Sequence, residues 1–227
     1  MCFPLQPPWG PLCFNIFTQS HLSYLPFGVN FLKSELARLK TLRRTDPRAV
    51  ILAVHHPTVS VDSHHAGSTG IQTDLDNCCK AAGLWPDMVL HGHAHLYQRF
   101  TRNLPGGAQI PYLISGSGGF AATAPKGPIS KVPLTVGDHT LEIEPIIDFG
   151  YLTLETDGKT YLSAAFKIAD KTKGVVQMDA VKVDLAAGKL ALSSTRGRSP
   201  APRTAVAKKT ILKRGAGAAK GGKAKKR

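Results

Sequence analysis

Seven of the nine histidines fall between His55 and His95, as His55-His56-Pro57, then His64-His65, then His91-Gly92-His93-Ala94-His95. Imidazole is the commonest protein metal ligand and the side chain that titrates near neutral pH, so this clustering points to metal-assisted chemistry. His93 and His95, two residues apart, point to the same side in an extended segment and can reach one ion or two adjacent ones; Gly92 lets the backbone bend beside them. A lone His-x-His is as readily a pair of packed or surface histidines. A second histidine source at a strand end weighs for ligation, and His55 supplies it.

The elements that must position these groups are legible from pattern. Leu32, Leu36 and Leu39 recur at helical spacing among Lys and Arg, which predicts an amphipathic helix over Val29 to Arg44. After Asp46-Pro47, the run Ala49 to Val54 is short, continuous and β-branched, as a strand buried on both faces should be. His55 stands at its C-terminal end. Thr73 is a candidate cap for a second helix that puts Leu75, Cys78, Cys79 and Ala82 on one face, with Gly83 at its C-terminal cap. Asp87 to Leu90 reads as another buried strand, again emptying into histidines. Two strands separated by a helix, both ending in His, describe the loop edge of an α/β sheet, where ligands usually bind.

The second half is mostly β. Ile110 to Ile114 reads as a strand, and Tyr151 to Glu155 with Tyr161 to Phe166 reads as a hairpin around Asp157-Gly158. Ser115-Gly-Ser-Gly-Gly119 lacks the Lys and spacing of a phosphate-binding P-loop and reads as a glycine turn.

Composition bounds the rest. The chain has 227 residues, 42% hydrophobic, enough for one core. Its net charge of +14 is uneven: 12 Lys or Arg and no acid lie from Ser194 to Arg227, leaving 17 basic against 15 acidic residues elsewhere. We therefore divide the chain into a folded body, residues 1–193, and a Lys/Arg/Ala/Gly-rich tail, residues 194–227, expected to be disordered and suited to polyanion contact. Cys2, Cys13, Cys78 and Cys79 lack zinc or redox spacing and read as apolar fillers. Met1 to Phe17 has no early Lys or Arg and is broken by prolines, so it lacks the form of a signal peptide, and no stretch approaches a membrane span. Localisation is left open by this, with cytoplasmic the reading of the chain as it stands.

Taken together, the strand-end His55 and Gly92-His93-Ala94-His95 resemble the last two motifs of the calcineurin-like metallophosphoesterases. Leu96-Tyr97-Gln98-Arg99 is similar to the extension of the purple acid phosphatase branch, where a Tyr-Glu-Arg commonly follows; Gln98 departs from that Glu. His64 and His65 sit nine and ten residues after His55, the offset at which that branch carries a histidine pair. Tyr112 to Gly119 and Gly150 to Leu154 look like the family's closing strands. The resemblance spans roughly Asn30 to Phe166.

It implies an α/β fold, the αββα sandwich of that family, and metal-dependent hydrolysis of phosphoric esters, in which two metal ions activate hydroxide and clamp the phosphoryl oxygens for in-line attack on phosphorus. It implies that His55, His93 and His95 are metal ligands (Fe, Zn or Mn type), that His64 and His65 face the substrate phosphate, and that His65 protonates the leaving alcohol. His56 is left to pack or hydrogen-bond. The family's N-terminal motifs, Asp-x-His, Gly-Asp-x-x-Asp or Tyr, and Gly-Asn-His-Asp/Glu, do not precede His55 here. Asp62, Asp74, Asp76 and Asp87 are available carboxylates, adequately explained by solvated or capping roles. The chain is thus expected to correspond to the C-terminal part of such an enzyme, a partial sandwich lacking its N-terminal strands, with an exposed sheet edge, marginal stability and impaired activity. Three imidazoles suit one ion rather than a bridged pair. The alternatives are a non-catalytic metal-binding remnant and a polyanion-binding protein acting through its tail.

Overall fold

The structure, a computed structural model, describes residues 26–119 and 121–191, together with the backbone of the strands Cys2–Pro4 and Cys13–Phe17. The Ser194 to Arg227 tail lies outside the described residues.

Helix α1 runs Pro26–Arg43 and buries Leu32, Leu36 and Leu39, the stripe expected from the sequence. Asp46-Pro47 follows it, and β3, Val50–Val54, begins at once. Helix α2 spans Thr69–Ala82. Its N-cap is Ser68, whose Oγ accepts from the N–H of Ile71; Thr73 is a full turn inside, donating its hydroxyl to the Thr69 carbonyl. Both residues can cap, but the apolar face begins at Ile71, which the expectation from Leu75 onward left out. Gly83 closes the helix in the left-handed conformation, φ 64°, as expected.

Strands β1 (Cys2–Pro4), β2 (Cys13–Phe17), β3, β4 (Met88–His91), β5 (Tyr97–Asn103), β6 (Gln109–Ser115), β7 (Leu134–Val136) and β8 (His139–Leu141) form one sheet in the order β1-β2-β3-β4-β6-β5-β8-β7. β2, β3, β4 and β6 are mutually parallel and the remaining pairs antiparallel. β3 is not an edge strand of this sheet. β2 runs beside it from Cys13↔Val50 to Phe17↔Val54, and three-residue β1 caps the row. A very short edge strand containing Pro4 offers little template for further pairing.

A second, antiparallel sheet contains β9 (Gly150–Thr156), β10 (Tyr161–Asp170), β11 (Gly174–Asp184) and β12 (Lys189–Leu190) in the order β12-β11-β10-β9. Alternation along β3 explains the layering. Val50, Leu52 and Val54 pack with Leu36, Leu75 and Cys79 of the helices, whereas Ile51 turns the other way and joins Met88 and Leu113 against Leu162, Ala164, Val181 and Val183 of the second sheet. Helices, large sheet and small sheet are therefore three layers of the expected αββα sandwich; a fourth, outer helical layer is absent among the described residues. Cys78 and Cys79 are buried, and burial pushes the Cys79 thiol up to about 12, in keeping with an inert filler.

Strand β5 joins the layers through polar side chains. Tyr97 and Arg99 face the second sheet: the Tyr97 ring stacks on Phe166 at 4.2 Å, and Tyr97 Oη and Arg99 Nε donate to Asp179 Oδ2 at 2.8 and 2.7 Å. Arg102 makes a bidentate pair with Asp76 of α2, both contacts 2.6 Å, and also meets Asp138 at 2.7 Å. Asp87 is likewise structural and not solvated: it is 8% exposed, holds Arg43 and accepts from the Val50 N–H.

Candidate metal centre

β3, β4 and β6 all run toward one edge of the large sheet, and the chain leaves β3 at His55-His56 and β4 at Gly92-His93. Two backbone features hold these exits together. The Gly92 N–H donates to the His55 carbonyl at 3.0 Å, and a Cβ on Gly92 would stand only 3.4 Å from His55 Nδ1. At Gly116, just past β6, a Cβ would lie 2.0 Å from the Ala94 carbonyl oxygen, so only glycine lets that strand end press against the histidine loop.

The loop is not extended. His93 has φ 64°, the one positive value at a non-glycine residue among the described residues, and tight turns follow, with the Ala94 N–H bonded to the Gly92 carbonyl and the Leu96 N–H to the Ala94 carbonyl. A β-carbon in the left-handed region costs of order 1–3 kcal/mol, and such strain concentrates at functional sites. The common orientation expected for His93 and His95 from strand alternation is thus replaced by a turn, yet both rings meet the same neighbour: His65 lies 4.5 Å from the His93 ring and 4.7 Å from the His95 ring.

One donor atom each from His55, His56 and His93 lies within 4.8 Å of the others, a spacing that can hold one cation. His56, expected only to pack or hydrogen-bond, is therefore a member of this group, its ring 3.9 Å from that of His93 and 5.1 Å from that of His55. His95 stands outside this three-donor group and joins the cluster through His65. His64 is exposed, its ring 6.4 Å from that of His65 and its Nδ1 2.8 Å from Ser63 Oγ.

The His64-His65 turn is fixed by Asp62, which is buried at 3% exposure. Its Oδ1 accepts the backbone N–H groups of His64 and His65 at 2.7 and 3.1 Å, and its Oδ2 accepts from the Thr123 hydroxyl. Burial raises the Asp62 carboxyl, but those hydrogen bonds and the nearby His65 outweigh it and hold the group below the usual carboxylate range. Asp62-Ser63-His64 spells Asp-x-His, but it sits in the loop after β3 with its carboxylate turned to backbone. Gln98, fully buried, completes the frame: its Oε1 accepts from the Val61 N–H at 2.8 Å and its Nε2 donates to Ser60 Oγ at 3.0 Å. A carboxylate there could not donate and would meet Ser60 only by accepting from its hydroxyl.

Desolvation lowers His93 to about 4, helped by repulsion from His56, His65, His55 and His95. Its imidazole is consequently neutral at pH 7, with a lone pair for a cation. His91, last in β4, turns inward instead: it is buried, its Nδ1 donates to the Val54 carbonyl at 2.9 Å, and burial depresses it to about 4.

No family model and no curated protein matches this chain. Among solved structures it is similar to a purple acid phosphatase from yellow lupin (Lupinus luteus) seeds, at 16% identity and a TM-score of 0.52 over 76% of this chain. The likeness is one of fold. The chain spans 30% of that phosphatase's length. A protein described as the anchor in the inner membrane complex of Plasmodium also matches, at 14% identity, a TM-score of 0.47, and 73% and 47% of the two chains. No helix among the described residues is long and apolar enough to cross a membrane.

The donor chemistry suits a metal: neutral imidazoles on short, cross-braced loops are good ligands for Zn, Fe or Mn type ions. It suits one ion better than two, since the three close donors are all histidines and include no carboxylate to bridge a pair.

Proposed function

We propose that this chain carries the histidine half of a metal-dependent phosphoric ester hydrolase site. The observation that carries the reading is the convergence of His55, His56, His93, His65 and His95 from separate segments at the C-terminal edge of a parallel sheet. His55, His93 and His95 are the ligands that the resemblance implies, and His56 is a donor already beside the first two. A cation held there supplies Lewis acidity toward phosphoryl oxygens and lowers the pKa of water.

The chain's own groups do the rest. His64 and His65, presented by the Asp62 turn, offer N–H donors to phosphate oxygens, and His65 passes a proton to the departing alkoxide. The all-imidazole donor set also favours a second reading, in which one ion is bound without turnover.

Metal analysis and a chromogenic phosphate ester separate the two. Purified protein loaded with Mn, Zn or Fe should bind an ion and hydrolyse the ester, with both properties lost in His55→Ala and His93→Ala. Ion binding without hydrolysis would select the second reading, and no ion at all would end both.

A further inference from the structure

The opposite edge of the same sheet holds a cavity of about 610 Å³. It lies where α1 ends, where β3, β4 and β6 begin, and beside the Asp157-Gly158 turn of the second sheet; its charged lining is Lys40, Arg43, Arg44, Arg48 and Lys159, with Asp87 the sole acid. The histidines stand at the other ends of these strands, so this is a separate place. The volume falls within the range of small-molecule sites.

Charge decides the ligand. Arg43 is neutralised by Asp87, and Arg48 by neighbouring Asp46, which accepts from Arg48 Nε at 2.7 Å. Three cations remain, and among the described residues none of Lys40, Arg44 or Lys159 has an acid within ion-pair distance. Lys40 rests against Gly83, at the carbonyl end of α2, and α1 ends close by. Two helix C-termini together amount to about one negative charge, which leaves an excess of about two positive charges around one hollow. Like charges gathered on a concave wall repel one another and are relieved by a multivalent anion. Trp85, half-buried beneath the Arg102 guanidinium at 5.7 Å, adds an aromatic wall.

We propose that this cavity binds small molecules carrying a chain of phosphate groups. Arg44 and Lys159, exposed cations of the lining without an acidic partner among the described residues, contact the phosphates, and the bound chain replaces their mutual repulsion with charge-assisted hydrogen bonds.

Trp85, which lines the cavity, gives a readout at the site itself. In the full chain carrying Trp9→Phe, Trp85 is the only tryptophan. Titration with inorganic tripolyphosphate should change its fluorescence saturably, and Arg44→Glu with Lys159→Glu should weaken that binding by about a hundredfold. Both residues are exposed, so an unchanged melting temperature is expected; the milder Arg44→Gln with Lys159→Gln pair should weaken binding by a smaller factor without reversing charge. A nucleoside triphosphate run in parallel assigns the contact to the phosphate chain alone if its affinity equals that of tripolyphosphate, and adds the Trp85 face if it binds tighter. No fluorescence response, an unchanged affinity in the reversed variant, or loss of binding in His93→Ala would overturn the proposal.

Discussion

The carboxylate of Asp179 lies 2.7 Å from Arg99 Nε and is 8% exposed at the side chain, so a charge pair joins the two sheets where β5 leaves the histidine loop. Removing one partner strands the other. Asp179→Ala leaves both the Arg99 guanidinium and the Tyr97 hydroxyl without their acceptor, and should destabilise the fold by about 3 kcal/mol, read by denaturant unfolding. A loss under about 0.5 kcal/mol would show the pair to be dispensable.

Asp62 organises the turn that presents His64 and His65. Asp62→Ala removes three acceptor contacts and should cost about 2 kcal/mol together with most of the ester hydrolysis, while bound metal is retained. Asp62→Asn keeps an acceptor oxygen and should behave much closer to the parent. Full activity in the alanine variant would sever the turn from the reaction.

His91 ties acid stability to burial. Its folded value, depressed to about 4, lies below the ordinary 6.5, so its contribution is complete above pH 6.5 and is lost as pH falls toward 4, by up to about 3 kcal/mol. Buried His139, also lowered by desolvation, acts in the same direction. Melting temperature against pH should therefore drop across that window, and His91→Gln should flatten the curve.

At Gly116 a methyl group would meet Ala94 backbone, not a flexible side chain. Gly116→Ala should cost about 3 kcal/mol and weaken metal binding at the displaced loop, as followed by calorimetric titration. Gly118→Ala, with open space around its Cβ, is the matched control.

His93 stores backbone strain at a position that glycine adopts freely. His93→Gly should leave stability unchanged or raise it by about 1 kcal/mol while abolishing ion binding. A large destabilisation would mean that the ring's packing outweighs the strain.

Where hydrophobic pattern and burial coincide, the sequence was readable: the Leu32, Leu36 and Leu39 stripe, the apolar runs of β3 and β4, and the histidines at their ends all lie near their expected places. β5 was not. Tyr97, Gln98 and Arg102 are buried because partners distant in sequence, Asp179, Ser60 and Asp76 among them, satisfy their polar atoms, and no local window contains that information. His56 escaped for a related reason. Alternation turns adjacent residues to opposite faces only while the strand lasts, and β3 ends at Val54. The Thr123 contact to Asp62 spans a long stretch of chain and could be found only by folding it.

Gln98 separates two kinds of behaviour within one loop. Its carboxamide neither gains nor loses a proton in the pH range where proteins stay folded, unlike the Asp62 carboxylate two residues beyond Ser60. The peptide frame from Ser60 to Val61 is thereby anchored by a group indifferent to acidity, whereas the His64-His65 turn that follows hangs on a carboxylate and loosens only when that group is protonated.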